Sequence, residues 1–375
     1  MQTRKSIAKT GTSVLLGLAL TVSARAVDRE ILTLTNVVVR VMAANLNGSS
    51  QKIEPFGIRT FQGLKPDIVC IQEFNYGASS TGEIRSFVDT AFGTNFYYLR
   101  ESNSNGAAYQ IPNGVISRYP FRSTTNWTDP YISNRGFACA QIDLPGPTDL
   151  YVVSVHLKAS SGSANVTTRS NEALALKALI QSSLPTNAWI VVAGDMNLQS
   201  RSASEPALTI FKTFLSDVPI PVDQTNNPNT NAGRDNPYDL VLPSFSFVTD
   251  LVPVVIGAQS FPNGLVFDSR VFSPLSDVSP VQTADSGLGQ HMGVLKDFRI
   301  NYTLTNHVDV PRPVIVQSKT NSLRWATVPG ITYTMQRSAN LTNWTTATQF
   351  TASTTNAVFT NLVTAPPHQF YRVSF

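Results

Sequence analysis

Polar residues recur in this chain where apolar, β-branched runs end. Asn45 closes VVVRVMAAN, Glu73 closes DIVCIQE and His156 ends LYVVSVH; Asp195 and Asn197 follow WIVVAG, Asp239 opens DLVLPS and His291 precedes GVLKDF. Singly each has an ordinary explanation, because strand ends are solvated and turns favour Asn and Asp. Together, carboxylates, amides and imidazoles at corresponding strand ends suit a hard divalent cation beside a proton-transfer pair. The sequence has no phosphate-cradling glycine loop, no zinc-type Cys/His cluster and no serine-nucleophile elbow. Nucleophilic serine chemistry is therefore unsupported.

Such residues need a scaffold. VVVRVMA, DIVCIQEF, NGVISRYPF, GFACAQIDL, LYVVSVHLKA, AWIVVAGDMN, YDLVLPS and GVLKDF read as strands by β-branched content and flanking turns. One helix is expected over Arg169 to Leu184, where Ala173, Leu176, Ile180 and Leu184 recur at helical spacing and Pro185 stops it. Many strands with few helices between them predict two sheets packed face to face, with helices outside. Cys70 and Cys139 lie in apolar runs and are expected to be free, buried thiols. The stretch SFSFVTDLVPVVIGAQSFPNGLVF fits buried strands or an apolar loop for membrane contact.

The first residues are a separate object. A basic start, the apolar run SVLLGLAL and the small residues of SARA predict a secretory signal cut near Ala26, and so a periplasmic or extracellular protein. Without that segment the chain carries 24 basic and 24 acidic side chains. The distribution is uneven: residues 27–305 hold 19 basic and 23 acidic groups, and residues 306–375 hold five and one. An acidic surplus suits a divalent-metal site, whereas long-range steering of nucleic acid usually needs the opposite sign. After the linker-like HVDVPRPVIVQ, the tail is rich in Thr, Tyr, Trp and Val and reads as a small all-β unit. The expected organisation is a signal over 1–26, a catalytic domain over 27–305, and a linker with a β-sandwich module over 306–375.

The ordered set AANLNG, DIVCIQE, NGVISRYP, VVSVHLKAS, VVAGDMN, PYDLVLPS and QHMGVLKDF resembles the endonuclease/exonuclease/phosphatase superfamily over roughly residues 37–300. VVSVH and NRGFACAQI bring it closer to secreted deoxyribonuclease-like and sphingomyelinase-like members than to abasic-site repair enzymes. The resemblance implies a four-layer α/β sandwich that hydrolyses phosphate esters with a divalent metal, Mg²⁺ with Mn²⁺ as substitute. It implies Glu73 as principal metal ligand with Asn45 close by, and Asp195 and Asn197 positioning the attacking water and a phosphate oxygen. His291 becomes the general base with a pKa near neutral, His156 a donor to a phosphoryl oxygen, and Arg135 a phosphate clamp. Asp239 would orient one of the two imidazoles, and the resemblance leaves open which. Asn113 is a further candidate on the phosphate side, with an Asn-Gly turn as the equal alternative. Where relatives read Ser-Asp-His, this chain has Gln290 before His291, which keeps an oxygen ligand but loses its charge. Asp285 and, further off, Asp268 are candidates to supply the missing carboxylate.

The tail, with LRW, QRSANLTNW and a closing FYR, is similar to β-sandwich modules at the ends of many secreted bacterial enzymes. That implies attachment to a cell surface or polymer; its Trp325, Trp344 and Tyr371 are core residues or a carbohydrate platform. The leading reading is a secreted, Mg²⁺-dependent endonuclease. Alternatives are a sphingomyelinase-like headgroup phosphodiesterase, a small-molecule phosphatase and, in another class, an inactive surface-binding protein.

Overall fold

A computed structural model describes residues 27–103, 105–310, 316–317, 322–360 and 370–375. The expected signal segment, 1–26, lies outside them. Two compact units are present, one of Leu34–Thr303 and one containing Leu304–Phe375.

The elements of the first unit, which takes β1 from Leu34 and β14 up to Thr303, begin β1 (Val27–Ala44), α1 (Pro55–Leu64), β2 (Ile68–Ile71), α2 (Thr81–Ala91), β3 (Tyr97–Arg100), β4 (Gly114–Ser117), β5 (Phe121–Trp127), β6 (Phe137–Ile142) and β7 (Leu150–His156). It continues with α3 (Ser163–Ser183), β8 (Trp189–Asp195), α4 (Pro206–Phe211), β9 (Asp239–Pro243), β10 (Leu251–Val252), β11 (Val254–Ile256), β12 (Gln259–Phe261), β13 (Leu265–Phe267), α5 (Asp285–Leu288) and β14 (Gly293–Val310). One sheet has the order β10-β14-β1-β2-β4-β3, with β13 also paired to β14; the other is β5-β6-β7-β8-β9.

Period-two alternation decides the layers. In β1, Val39, Val41 and Ala43 pack between the sheets with Ala140, Val152, Val191 and Val241. Met42 and Ala44 face the other way, onto Phe61 and Leu64 of α1 and Phe87 of α2. On the second sheet Val153, Val155 and Val192 face outward against Leu176 and Ile180 of α3 and Phe211 of α4. The result is four layers, helix, sheet, sheet, helix, as the motifs implied. Each fully buried Val or Leu contributes about 1.5–3 kcal/mol of transfer free energy to that stack.

Helix α3 starts six residues before the expected Arg169, at Ser163. Its buried face includes Arg169 and Glu172 beside Ala173 and Leu176, so charge breaks the apolar stripe that periodicity relies on. Helices α1 and α2 were not anticipated, although their start signals are present: Pro55 at the first turn, and a Ser80–Glu83 capping box. The 244–267 stretch is mostly buried strand, but Phe245 is 55% exposed. It forms β10, a β11–β12 hairpin and β13, with Val254, Ile256, Phe261 and Phe267 buried and Val255 54% exposed. Cys70 and Cys139 are free and buried, and burial pushes the Cys139 thiol up to about 12.

The second unit contains β15 (Val316–Gln317), β16 (Leu323–Ala326), β17 (Thr332–Ser338), β18 (Thr345–Thr351), β19 (Asn356–Phe359) and β20 (Phe370–Ser374). They form two three-stranded sheets, β15-β16-β19 and β18-β17-β20. Leu323, Trp325 and Met335 make its small core, so Trp325 is a packing residue. The Arg372 guanidinium lies over the Trp344 ring at 4.3 Å.

Candidate functional site

The two central parallel pairs deliver their C-terminal ends to one rim. β1 and β2 pair from Val41↔Ile68 to Ala44↔Ile71, so Asn45 and Glu73 follow directly. β7 and β8 end on the pair His156↔Asp195, and β9 begins on Asp195↔Asp239. His291 comes two residues before β14. The strand ends thus converge as the sequence pattern suggested, for a topological reason.

Asp195 is the hub. Its Oδ2 accepts from Asn45 Nδ2 at 3.1 Å and lies 3.3 Å from His156 Nε2 and 3.6 Å from His291 Nε2. Asp239 Oδ2 lies 2.9 Å from His291 Nδ1, so of the two imidazoles it is His291 that Asp239 orients. Asp239 is itself anchored by its backbone N–H, which donates to Thr230 Oγ1 at 2.7 Å. All these side chains are buried, from 0% exposure at Asp239 to 8% at Glu73.

Local backbone geometry aims them. Glu73 and Asn197 both adopt left-handed φ values of +50°. For Glu this costs on the order of 1 kcal/mol, and it turns the chain off β2 immediately after the strand. Asn47 Nδ2 clasps the turn by donating to the carbonyls of Gln72 (3.3 Å) and Glu73 (3.0 Å). Gln72 Nε2 donates to Ser154 Oγ at 2.9 Å, and Ser154 Oγ to the Ile71 carbonyl at 3.1 Å, which ties the two sheets beneath the rim. Gly194 sits at φ +141°, where a Cβ would lie 2.1 Å from the Val155 carbonyl oxygen, so no other residue fits before Asp195.

Burial, then the nearby Asp195, raises the Glu73 carboxyl. Burial lifts Asp195 to about 6, with Asp239 adding to it and His291 opposing it. Burial alone would lower His291, but Asp239 and Asp195 outweigh it and hold the imidazole at about 9 rather than near neutral. His156 is pushed the other way, by burial, Arg135 and His291, and is neutral. Asp195, Asp239 and His291 present ligand atoms within 4.8 Å of one another. Asp239 Oδ1 is buried without a partner, and among the described residues Glu73 makes no ion pair. Unneutralised hard oxygens in a dry rim are a donor set that fits a divalent cation.

Three expected contributors stand differently. Arg135 lies at the site, but Nε donates to the His156 carbonyl, Nη2 to that of Leu157 at 2.8 Å and Nη1 to Asn134 Oδ1 at 3.1 Å. It holds the end of β7 and offsets the charges of Glu172, Asp195, Glu73 and Asp129, with two N–H groups left over. Asn113 is off the phosphate side. It is fully buried, its Nδ2 donating to the Gly136 carbonyl at 2.7 Å and its backbone N–H to Glu101 Oε2 at 2.9 Å. Gln290 is exposed, and only its backbone serves the site, donating to the Asn47 carbonyl and accepting from Ala232 N–H. The metal-ligand expectation for Gln290 therefore fails, because the chain turns its side chain to solvent just before His291. Neither proposed substitute replaces it: Asp285 is engaged by Arg59 at 2.5 Å, and Asp268 by Arg270 at 2.7 Å and Arg234 at 3.2 Å. Gln290→Ala is accordingly expected to keep divalent-cation affinity within about twofold by calorimetry; a tenfold loss would return position 290 to the metal.

Several contributors carried no recognisable sequence signal. Asn47 shares AANLNG with Asn45, and Tyr238, whose ring centroid is 5.6 Å from that of His291, precedes Asp239. Glu172 on α3 and Asp129 form a buried carboxyl pair joined by a hydrogen bond. Glu172 Oε2 also accepts from Lys158 N–H at 2.8 Å, and Asp129 Oδ1 from Tyr131 N–H at 2.8 Å. Burial and then Asp129 raise Glu172 to about 8, so the folded pair keeps a proton that the unfolded chain releases near 4.5. Its contribution is fully present below pH 4.5 and is lost as pH rises to about 8. Urea unfolding at stepped pH should show stability declining across that window, with a shallower decline in Glu172→Gln. A parallel slope in the variant would rule the pair out as the source.

Beside the rim opens a cavity of about 980 Å³ whose lining includes Glu73, Arg135 and His156. Two sheets between helices, with buried carboxylates and two imidazoles converging on one rim, define a metal-dependent hydrolase of phosphate esters. The chain belongs to the endonuclease/exonuclease/phosphatase family, whose sequence model matches residues 42–264. No curated protein sequence matches it. Among solved structures it is similar to an endonuclease/exonuclease/phosphatase from Beutenbergia cavernae, at 15% identity and a TM-score of 0.48 over 90% of this chain and 99% of that one. It is also similar to an AP endonuclease from Archaeoglobus fulgidus (13%, TM-score 0.47, 69% and 99% covered). A third is the human Nocturnin catalytic domain (15%, TM-score 0.47, 72% and 97% covered). No helix among the described residues is long and apolar enough to cross a membrane.

Proposed function

We propose that this protein is a Mg²⁺-dependent phosphodiesterase that cuts nucleic acid, exported by its first 26 residues and carrying its C-terminal β unit as an attachment module. The observation that carries the site reading is the Asp239–His291 contact of 2.9 Å, which directs Nε2 toward Asp195 while Glu73, at the same rim, makes no ion pair among the described residues. Glu73, with Asn45 and Asp195, would hold the divalent cation. Bound there, it supplies neutralisation of the charge that develops on the phosphoryl oxygens.

The chain's own residues do the rest. Asp239 fixes the His291 ring; with Glu73 and Asp195 neutralised by a cation, less charge would be left to hold the imidazole at about 9, and Nε2 would be where a proton from the attacking water is received. Asn197, whose backbone N–H donates to Asp195 Oδ1 at 2.9 Å, holds the Asp195 carboxylate in place. Neutral His156 carries a proton on Nε2 toward Asp195 and is the donor available to a phosphoryl oxygen. Arg135 contributes its field and two N–H groups from the edge.

The test offers the purified protein single-stranded and duplex DNA, RNA, sphingomyelin and bis(p-nitrophenyl) phosphate, with Mg²⁺, with Mn²⁺ or with chelator. His291→Ala is the control. Metal-dependent cleavage of nucleic acid that the variant lacks is the expected result. Equal rates for wild type and variant on every substrate would sink the reading, and hydrolysis of sphingomyelin alone would replace it with headgroup chemistry.

A further inference from the structure

The wall of the large cavity has a chemistry of its own. It is lined by residues 128–135, from the loop between β5 and β6, and by Tyr109 and Gln110 among others. Tyr131 is 49% exposed, and Ile111, also in the lining, is buried. Around these rings stand neutral amides and hydroxyls: Gln51, Asn103, Gln110 and Asn134 with Thr128 and Ser133. Among the described residues, the Lys and Arg side chains in the lining are Arg135 and Lys158.

We infer that this cavity is a nucleoside pocket. It takes one unstacked base and its sugar next to the scissile phosphate, with Tyr131 and Tyr109 as ring-packing faces, and so selects single-stranded over duplex substrate. The inference rests on the phosphodiesterase reading and deepens it. Volume permits it, since sites for single small ligands span about 300–1,000 Å³. Chemistry favours it: an aromatic face stacks on any base, and amides offer both donors and acceptors to a base edge.

A duplex presents one phosphate per about 1.7 Å of axis and calls for a run of cations. Here there are two, and Arg135 has already spent three of its N–H groups on protein. A quaternary ammonium headgroup suits tyrosine rings, but it offers nothing to the amides. Nor does it find a free anion: Asp129 is tied to Glu172 and the Tyr131 N–H, and Glu73 belongs to the metal rim. The wall is also pre-set. The Asp129–Glu172 pair pins one end to α3, and Asn113 Nδ2 on the Gly136 carbonyl holds the other.

The experiment compares a short single-stranded oligonucleotide, the same sequence as a blunt duplex, and glycerophosphocholine, using the full chain with Mg²⁺ or Mn²⁺. Tyr131→Ala and Tyr131→Phe are run in parallel, with thermal melts to confirm folding. Base–aromatic stacking predicts that Tyr131→Ala raises KM for the single strand about tenfold, more than it lowers kcat, and that Tyr131→Phe restores it. Wild type should prefer the single strand to the duplex by about tenfold or more in kcat/KM. Equal use of the duplex, or a KM that ignores Tyr131→Ala, overturns the pocket. Preference for glycerophosphocholine overturns it in favour of an ammonium site. Should no substrate be cleaved, the phosphodiesterase reading fails by itself. Binding of adenosine 5′-monophosphate to wild type and Tyr131→Ala, measured calorimetrically, then decides the pocket, and binding equal in the two, or absent from both, overturns it.

Discussion

Asp239→Asn is expected to lower kcat by about 10³- to 10⁴-fold while leaving KM close to wild type, on the scale seen when a carboxylate behind a catalytic imidazole becomes an amide. The reason is tautomeric. Asp239 Oδ2 faces His291 Nδ1 at 2.9 Å and keeps a proton on that nitrogen, so that Nε2 is the ring atom that gives up and takes back a proton. An asparagine rotated to donate its N–H would move the ring proton to Nε2 and block the base. The backbone anchor of residue 239 on Thr230 Oγ1 does not involve the side chain, so the fold should survive, as a thermal melt would show. His291→Ala should cost about as much, and the double variant little more than either, because the two residues act as a unit. A loss under tenfold, or additive losses, would show that the pair is not the proton acceptor.

The largest expected stability effect lies away from the chemistry. The Arg169 side chain is fully buried and its guanidinium makes four hydrogen bonds. Two go to Glu205, at 2.7 and 3.1 Å, and two to the carbonyls of Lys158 and Ser160, at 2.9 and 2.8 Å. Glu205 Oε1 also accepts from Gln199 N–H at 2.9 Å, which braces the segment that follows Asn197. Arg169→Met would strand a buried carboxylate and two carbonyls, at a cost of about 3–5 kcal/mol. That is about a fifth or more of the total stability of an ordinary domain, about 5–15 kcal/mol. Urea titration should show the midpoint falling with little change in slope, and Arg169→Met/Glu205→Gln should recover part of the loss. A change below about 1 kcal/mol would mean that water enters and solvates Glu205.

Legibility in the sequence followed the physics of each signal. Strands such as VVSVH and IVVAGD were readable because they are buried on both faces, and a run of β-branched residues is what such burial demands. Helix α3 was only half readable, because Arg169 and Glu172 sit on its buried face where an amphipathic pattern expects apolar side chains. Gln290 shows the limit of motif arithmetic. Its place beside His291 suggested a ligand, yet the chain bends at Gln290 and its side chain meets solvent.

The sequence alone determined the layers and the strand-end groups Asn45, Glu73, His156, Asp195, Asn197, Asp239 and His291, because alternation and strand-end polarity are local properties written residue by residue. Which imidazole Asp239 orients, that Arg135 is largely committed to backbone carbonyls, and that Glu172 from α3 reaches Asp129 were decided only by tertiary structure. Those contacts join residues 52, 21 and 43 positions apart, and no local periodicity records the packing that closes such distances.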